Sequence, residues 1–390
     1  MATGTLDAER LQALLRSPQA QPALRLYRYR RDFRRLAYEQ LKVKTKPPNP
    51  RIIPMYPLLD PQEVILQSIE AQVREHGFVR HVVLKSRQQG CSTLCLGLLF
   101  QRAALHRNVN TFTAANDKAT AENLFRIQRL FLESLDPSLR PKTRYSTKRE
   151  LTFEDEDDPE AGLRSSMYVD SANNIHLGVS RTITALHLSE VARYEKSVDA
   201  IPSILGAIPL SSGTIILMES TAHVLGAYFR DMVYRAQRQE GPWRLAFVPW
   251  FKSREYAIPL APDQKIEPTL EEKHLIRQFG LLPSQINWRR MKIGEYRGDE
   301  VMFRQDFPAT IDEAFIVIGH SIFPVSALRR LEAHVREPLR QCEIIPEAKR
   351  VVDLPNGALW IWAEPIPGVE YDIGADVSLE ASQEEDSEFT

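Results

Sequence analysis

The stretch His81-Val82-Val83-Leu84-Lys85-Ser86-Arg87-Gln88-Gln89-Gly90-Cys91-Ser92-Thr93 sets a short β-branched apolar run against a polar loop that opens into Leu94-Cys95-Leu96-Gly97-Leu98-Leu99-Phe100. The first part reads as a buried strand and the last as a helix. A strand, a polar loop and a helix aim backbone N–H groups and a helix N-terminus at phosphate oxygens. The usual pattern, the Walker A loop, is G-x-x-x-x-G-K-[ST]. Here Gly90 and Ser92 match it, whereas Lys85 stands at the first glycine and Cys91 at the lysine. A lysine at the head of the loop can fold across it toward the β- and γ-phosphates. Arg87 adds a second, permanently charged donor, and Ser92 presents a hydroxyl to Mg²⁺. Lys85, Ser86, Arg87, Gln88, Gln89, Gly90, Cys91, Ser92 and Thr93 are therefore the candidate nucleotide-contacting loop. By itself, the loop can also be read as an ordinary polar β–α turn.

A helical stretch at 61–75 precedes the loop, and a strand at Asn110–Ala115 and a helix at 118–135 follow it. A less regular section holds the acidic run at 154–158, which reads as a solvated loop. Strands at 183–188, 214–219 and Arg244–Val248 then alternate with helices near 198–205 and at 227–239. This alternation predicts an α/β fold, a mostly parallel sheet with helices on both faces.

The second strand of interest, Ile183-Thr184-Ala185-Leu186-His187-Leu188-Ser189-Glu190, ends where a Walker B carboxylate pair is expected. Glu190 is placed to activate the attacking water. Ser189 occupies the usual aspartate position. A serine can accept from a metal-bound water but brings no charge, so Mg²⁺ must lean on Ser92 and the nucleotide. Met218-Glu219-Ser220-Thr221-Ala222 ends the next strand, which sets Ser220 and Thr221 beside Glu190 as candidate γ-phosphate sensors. Gln62 lies 23 residues before Lys85, where its amide could pair with an adenine edge while Tyr56 stacks on the ring. His187 reads as a core residue, Cys91 as a small filler with no adjacent base, and Trp243, Trp250 and Trp288 as packing.

The 390 residues carry a net charge of only −1, but the ends are polarised. Residues 1–50 sum to +7 and residues 370–390 to −8. The basic excess falls on LRLYRYRRDFRRLAYEQLKVKTK, a helical arm that could face phosphate backbone, a partner or solvent. With 43% hydrophobic residues the chain can build a sizeable core, which excludes wholesale disorder. Three cysteines exclude a disulfide framework, and no apolar run reaches the length of a membrane span. The start MATGTLDAERLQ lacks the features of a secretory leader, so the protein is expected to stay where it is made.

Six segments in order resemble the large terminase subunit of tailed bacteriophages: KSRQQGCST, LHLSE, MESTA, VPWF at 248–251, FRQDFPATIDEAF at 303–315 with a following IFP, and YDIGADVS at 371–378. The resemblance runs from about residue 56 to the end. It implies a P-loop NTPase core of the ASCE type, an ATPase that translocates double-stranded viral DNA into the procapsid. Its cofactors would be ATP and Mg²⁺. Lys85 and Arg87 would contact the phosphates, Ser92 would help hold Mg²⁺, and Ser220 and Thr221 would couple hydrolysis to movement. Arg181, nine residues before Glu190, is the candidate for an arginine acting across subunits of a homo-oligomeric ring, taken as pentameric. Implied partners are DNA, the portal ring and a small terminase subunit, in the host bacterial cytoplasm with transient docking on the procapsid.

The family also carries a C-terminal RNase H-type nuclease with two divalent metals, Mg or Mn. Asp376 matches its first carboxylate, and Asp386 stands near the position of the next. The expected domains are a basic helical arm at 1–50, the ATPase at 51–250, a helical lid or linker at 251–368, and the severed start of the nuclease at 369–390, so this chain is not expected to cut DNA. The eight carboxylates at the end would then belong to a metal-binding strand missing its neighbours. Two rival readings are a helicase-like or repair ATPase, which calls for a second motor domain, and a non-catalytic assembly protein whose altered loop binds no nucleotide.

Overall fold

The computed structural model describes residues 20–158, 160–174, 182–194, 198–223, 226–315, 338–345, 350–354 and 357–371. The chain divides into two compact units, 1–318 and 319–390. The first unit opens with helices α1 (Gln21–Arg31) and α2 (Phe33–Glu39) and a hairpin of β1 (Lys42–Lys44) and β2 (Ile52–Pro54). There follow α3 (Asp60–His76), β3 (Val79–Lys85), α4 (Cys91–Leu105), β4 (Asn110–Ala115), α5 (Lys118–Ser134), β5 (Tyr145–Ser146), β6 (Glu150–Phe153) and β7 (Ser165–Ser171). β8 (Ala185–Ser189), α6 (Ile201–Gly206), β9 (Ile215–Ser220), α7 (Ala227–Gln237) and β10 (Arg244–Val248) complete the α/β part.

Eight strands form one sheet in the order β10-β3-β9-β8-β4-β7-β6-β5. The pairs from β10 through to β7 are parallel, and β6 and β5 add antiparallel to one edge. All seven residues of β3 are buried, as a central strand covered on both faces requires. The helices follow from local signals. α3 has Pro61 in its first turn and closes on Gly77, whose φ of 73° suits a residue without Cβ. Asp117 caps α5 by accepting from the Thr120 N–H at 2.8 Å.

The section read as irregular holds β5, β6 and β7. β7 pairs with β4 throughout, from Asn110↔Ser166 to Ala115↔Ser171. Its sequence SSMYVDS hides the strand because its polar side chains are buried yet satisfied. Asp170 takes the Arg149 guanidinium at 3.0 Å and the Tyr168 hydroxyl at 2.9 Å. The acidic run beside it is only partly solvated: Asp155 is buried and pairs with Lys142 at 2.6 Å.

Of the segment expected as a basic arm, the described helices α1 and α2 pack into the core. Twelve of the fifteen residues of α4 are buried, so this helix is enclosed on all sides and needs cover beyond the sheet. α1 and α2 supply it through Tyr29, Phe33, Leu36 and Ala37. Phe33 lies so close over Gly97 that a Cβ there would sit 2.9 Å from the ring. Asp32, in extended conformation, breaks the single helix the sequence suggested and caps α2 by accepting from the Arg35 N–H at 2.9 Å. Three of the arginines meet carboxylates within the fold: Arg34 binds Glu63 and Glu70, Arg25 binds Asp136 at 2.9 Å, and Arg35 binds Glu39 at 2.8 Å.

The segment after residue 250 carries α8 (Leu270–Phe279), α9 (Pro283–Glu295), α10 (Glu300–Asp306) and α11 (Ile311–Ala314). An aromatic cluster holds it together, with Tyr256 stacked on Trp288 at 4.4 Å and Trp250 on the same indole at 5.2 Å. Trp250 and Trp288 are buried, as packing residues should be.

The second unit contains a three-stranded antiparallel sheet, β11 (Arg340–Ile345), β12 (Arg350–Asp353) and β13 (Leu359–Ile361), in the order β12-β11-β13. It occupies sequence read as linker. Val369, Glu370 and Tyr371 are exposed and outside any strand, and residues 372–390 lie outside the described residues.

Candidate active site

Three strand ends meet at the carboxyl edge of the sheet, where open α/β sheets bind ligands. β3 ends in Lys85, β8 in Ser189 followed by Glu190, and β9 in Glu219 and Ser220. Because β9 lies between β3 and β8, Leu84 pairs with Ser220 and Ser189 pairs with Glu219. The lysine and the two glutamates are thereby drawn together. Lys85 Nζ is 2.7 Å from Glu190 Oε1 and 3.0 Å from Glu219 Oε2.

Burial by itself would lower the Lys85 pKa, but the carboxylates of Glu219 and Glu190 reverse this and hold its ammonium above the ordinary lysine range. Glu219, with no exposed surface, shows the mirror case. Burial would raise its pKa, yet Lys85, then His187 and Ser92, hold it well below the usual carboxylate range. Its Oε1 accepts from Ser92 Oγ at 2.7 Å and from Ser189 Oγ at 2.7 Å, and faces His187 Nε2 at 3.3 Å. His187 is thus buried as expected, but it backs the site as well as the core.

Glu190 is a non-glycine residue at φ 59° and ψ 46°, a left-handed conformation that carries strain. It turns the chain at the end of β8 so that Oε1 reaches Lys85 while Oε2 accepts from Ser220 Oγ at 3.3 Å. Ser220 also receives the Ala192 N–H at 3.2 Å. Thr221 is buried, and its hydroxyl has no partner among the described residues. It lines a cavity of about 440 Å³ together with Lys85, Arg87, Asn116, Thr120, Glu190 and Arg193.

The loop between β3 and α4 is tied down from several sides. Gln89 accepts from the Ser86 N–H at 3.1 Å and donates to the Pro249 carbonyl at 3.0 Å. Lys46 donates to the Gln88 carbonyl at 2.8 Å, and the Tyr256 hydroxyl donates to that of Arg87. Arg87 pairs with Asp306 at 2.7 Å, so its guanidinium is committed to the FRQDFP segment unless a ligand draws it away. Gln62 spends both ends of its amide inside the protein, accepting from the Leu59 N–H at 3.0 Å and donating to the Gly90 carbonyl at 2.8 Å. Gly90 has φ 73°, and a Cβ there would fall 2.8 Å from Gln62 Nε2, so no other residue fits without displacement. Tyr56 is exposed and meets Tyr38 edge-on at 5.3 Å. Burial pushes the Cys91 thiol up to about 12, which leaves it inert at neutral pH and suits the filler role.

The hydroxyls of Ser92 and Ser189 both donate to Glu219 Oε1, which gathers three hard oxygens of the kind Mg²⁺ takes when substrate phosphates supply the rest. Among the described residues no group of three or more His, Cys, Asp and Glu side chains could hold a metal without such help.

No family model matches the sequence, and no curated protein matches it. The solved structures similar to this chain include bacteriophage large terminases. The ATPase domain of Thermus phage P74-26 large terminase is 16% identical, with a TM-score of 0.41 over 60% of this chain and 88% of that one. The HK97 bacteriophage large terminase is 13% identical, with a TM-score of 0.46, and 79% of this chain covers 60% of its length. The large terminase of a thermophilic bacteriophage, solved in complex with ADP, is 12% identical, with a TM-score of 0.35 over 49% of this chain and 44% of its own. With TM-scores below 0.5, these likenesses transfer no residue roles.

Of the sequence-derived candidates, Lys85, Arg87, Gln88, Glu190 and Thr221 line one cavity, while Ser92 and Ser189 are bonded to Glu219 and Ser220 to Glu190 beside it. Gln62 and Tyr56 stand apart from it, Gln62 lining a separate pocket with Gly90 and Thr93. Arg181, Asp376 and Asp386 lie outside the described residues. The residue that sequence reasoning missed is Glu219. Its signal was present in MESTA, but its position depends on β9 being inserted between β3 and β8.

Proposed function

We propose that the chain is an ATP-hydrolysing motor subunit of the large terminase kind, which moves double-stranded DNA into a viral procapsid. The observation that carries the enzymatic part is the convergence of Lys85, Glu190 and Ser92 at the carboxyl edge of a parallel sheet. The DNA-packaging part is supported by the order of the six sequence segments. On this reading the triphosphate lies along the loop, with Lys85 leaving Glu190 for the β- and γ-phosphates. That exchange frees the Glu190 carboxylate to take a proton from the attacking water as the water's oxygen adds to the γ-phosphorus and the bond from that phosphorus to the β–γ bridging oxygen breaks, releasing ADP. Ser220, which donates to Glu190 Oε2, would register the change at the end of β9. Mg²⁺, held through Ser92 and water, would neutralise developing charge on the phosphates. Partners on this reading are duplex DNA, the portal ring, the small terminase subunit and further copies of the chain in a ring, in the host cytoplasm. Among the described residues no helix is long and apolar enough to cross a membrane.

The test is steady-state ATP hydrolysis with duplex DNA present. Glu190→Gln is expected to lower turnover by about 10²- to 10⁴-fold, the usual contribution of a positioned base, while nucleotide still binds. Turnover left intact in that variant would remove Glu190 from the role.

A further inference from the structure

Ser189 leaves the site without the carboxylate that normally precedes the catalytic glutamate, yet the cleft holds a second carboxylate one strand away. We infer that Glu219 supplies the missing charge and orders the water shell of the nucleotide-bound Mg²⁺, so that the metal-positioning acid has moved from β8 to β9. The inference rests on the reading of this cleft as a nucleotide site.

Three observations carry it. Ser189 and Glu219 are direct partners in the β8–β9 register, and Ser189 Oγ lies 2.7 Å from Glu219 Oε1, so the carboxylate sits beside the position it would replace. The same oxygen is 2.7 Å from Ser92 Oγ, the hydroxyl at the start of α4 placed to ligate the metal. A carboxylate that orients a metal-bound water must be close to this hydroxyl, and among the described residues Glu219 is the acid bonded to it. The side chain is also fully buried on a central strand, where an ionised group is costly unless function or a partner retains it. Lys85 is such a partner, but it also pairs with Glu190, and its purpose on the proposed reading is to leave for phosphate. Once Lys85 moves, a buried Glu219 needs a new cation close by, and the nucleotide's Mg²⁺ fills that need. His187, behind Oε1 at 3.3 Å, fixes the carboxylate's orientation as outer-shell partners do.

The competing possibility is that Glu219 serves only as a structural counter-ion for Lys85. Titration of a fluorescent ADP in Mg²⁺ and in EDTA, with Mn²⁺ binding to the protein–ADP complex followed by electron paramagnetic resonance, separates the two. Wild-type protein is expected to bind nucleotide more tightly with Mg²⁺. Glu219→Gln is expected to keep its affinity in EDTA while losing about 10- to 100-fold of the metal-dependent gain, the range typical for outer-shell acids. The double variant Ser189→Asp/Glu219→Gln, which returns the carboxylate to β8, is expected to recover that gain. Should Glu219→Gln lose its cooperative melt, the double variant carries the test alone. A folded double variant without a metal-dependent gain, or a Glu219→Gln protein that keeps it, overturns the inference and leaves the nucleotide reading standing. Wild-type protein that binds nucleotide in neither condition removes both.

Discussion

Glu190 combines a strained left-handed backbone with a half-buried carboxylate shared between Lys85 and Ser220. A strained non-glycine residue at the end of a central strand is held there by its surroundings, and such positions cluster at functional sites. A second single-residue feature concerns pH. His81 is buried on β3, with Nδ1 2.9 Å from Gln72 Oε1 and Nε2 2.8 Å from Ser68 Oγ, and burial followed by the nearby Arg244 charge lowers it to about 3. The folded value lies below the unfolded one of about 6.5, so the unfolded chain takes up a proton that the folded chain refuses. This contribution to stability is complete above pH 6.5 and is lost as pH falls toward 3. His81→Gln is expected to flatten the pH dependence of the unfolding free energy by about 1.4 kcal/mol per pH unit between pH 6 and 5, measured by urea titration. An unchanged slope would mean that His81 is protonated in the fold. At this scale the sequence was most legible where a motif is local: Lys85, Gly90, Ser92 and Glu190 each follow a strand signal within a few residues. Glu219 and the Arg87–Asp306 pair were illegible because their partners are brought in by strand order and by a helix more than 200 residues away.

Among the elements, α4 and its cover show how far periodicity reaches. The apolar run from Leu94 onward reads as a helix, and the structure shows that it is enclosed by more than the sheet. That the cover is the basic N-terminal segment was concealed by the arginines on its outer side, which meet Glu63, Glu70 and Asp136. Phe33→Ala, which opens a cavity over Gly97, is expected to cost about 3–5 kcal/mol, seen as a lower urea midpoint with an unchanged slope. A loss below about 1 kcal/mol would show that α2 is dispensable cover. The strands β5 to β7 went unread for a different reason. Two are very short, and the third buries serines and an aspartate whose hydrogen bonds replace the apolar side chains a strand signal relies on.

For the molecule as a whole, a mostly parallel sheet with helix cover was legible from the alternation of patterns, because each β–α unit carries its own signal, whereas the order of the strands was not. The division at residue 318 and the small antiparallel sheet beyond it were not, since that sheet is short and carries exposed apolar residues such as Val351 and Trp360. The carboxyl edge of the sheet and the β3–α4 loop form the cleft of the first unit, with Arg87 of that loop paired to Asp306 of the FRQDFP segment, and on the proposed reading this cleft binds a nucleoside triphosphate. The most direct measurement is a Mg-ATP binding titration on wild-type protein and on Lys85→Ala, each checked for a cooperative melt. Saturable binding by the wild type, weakened at least about tenfold, or about 1.4 kcal/mol, in the variant is the expected result. Equal affinity in the two proteins, or no binding by the wild type, would contradict it.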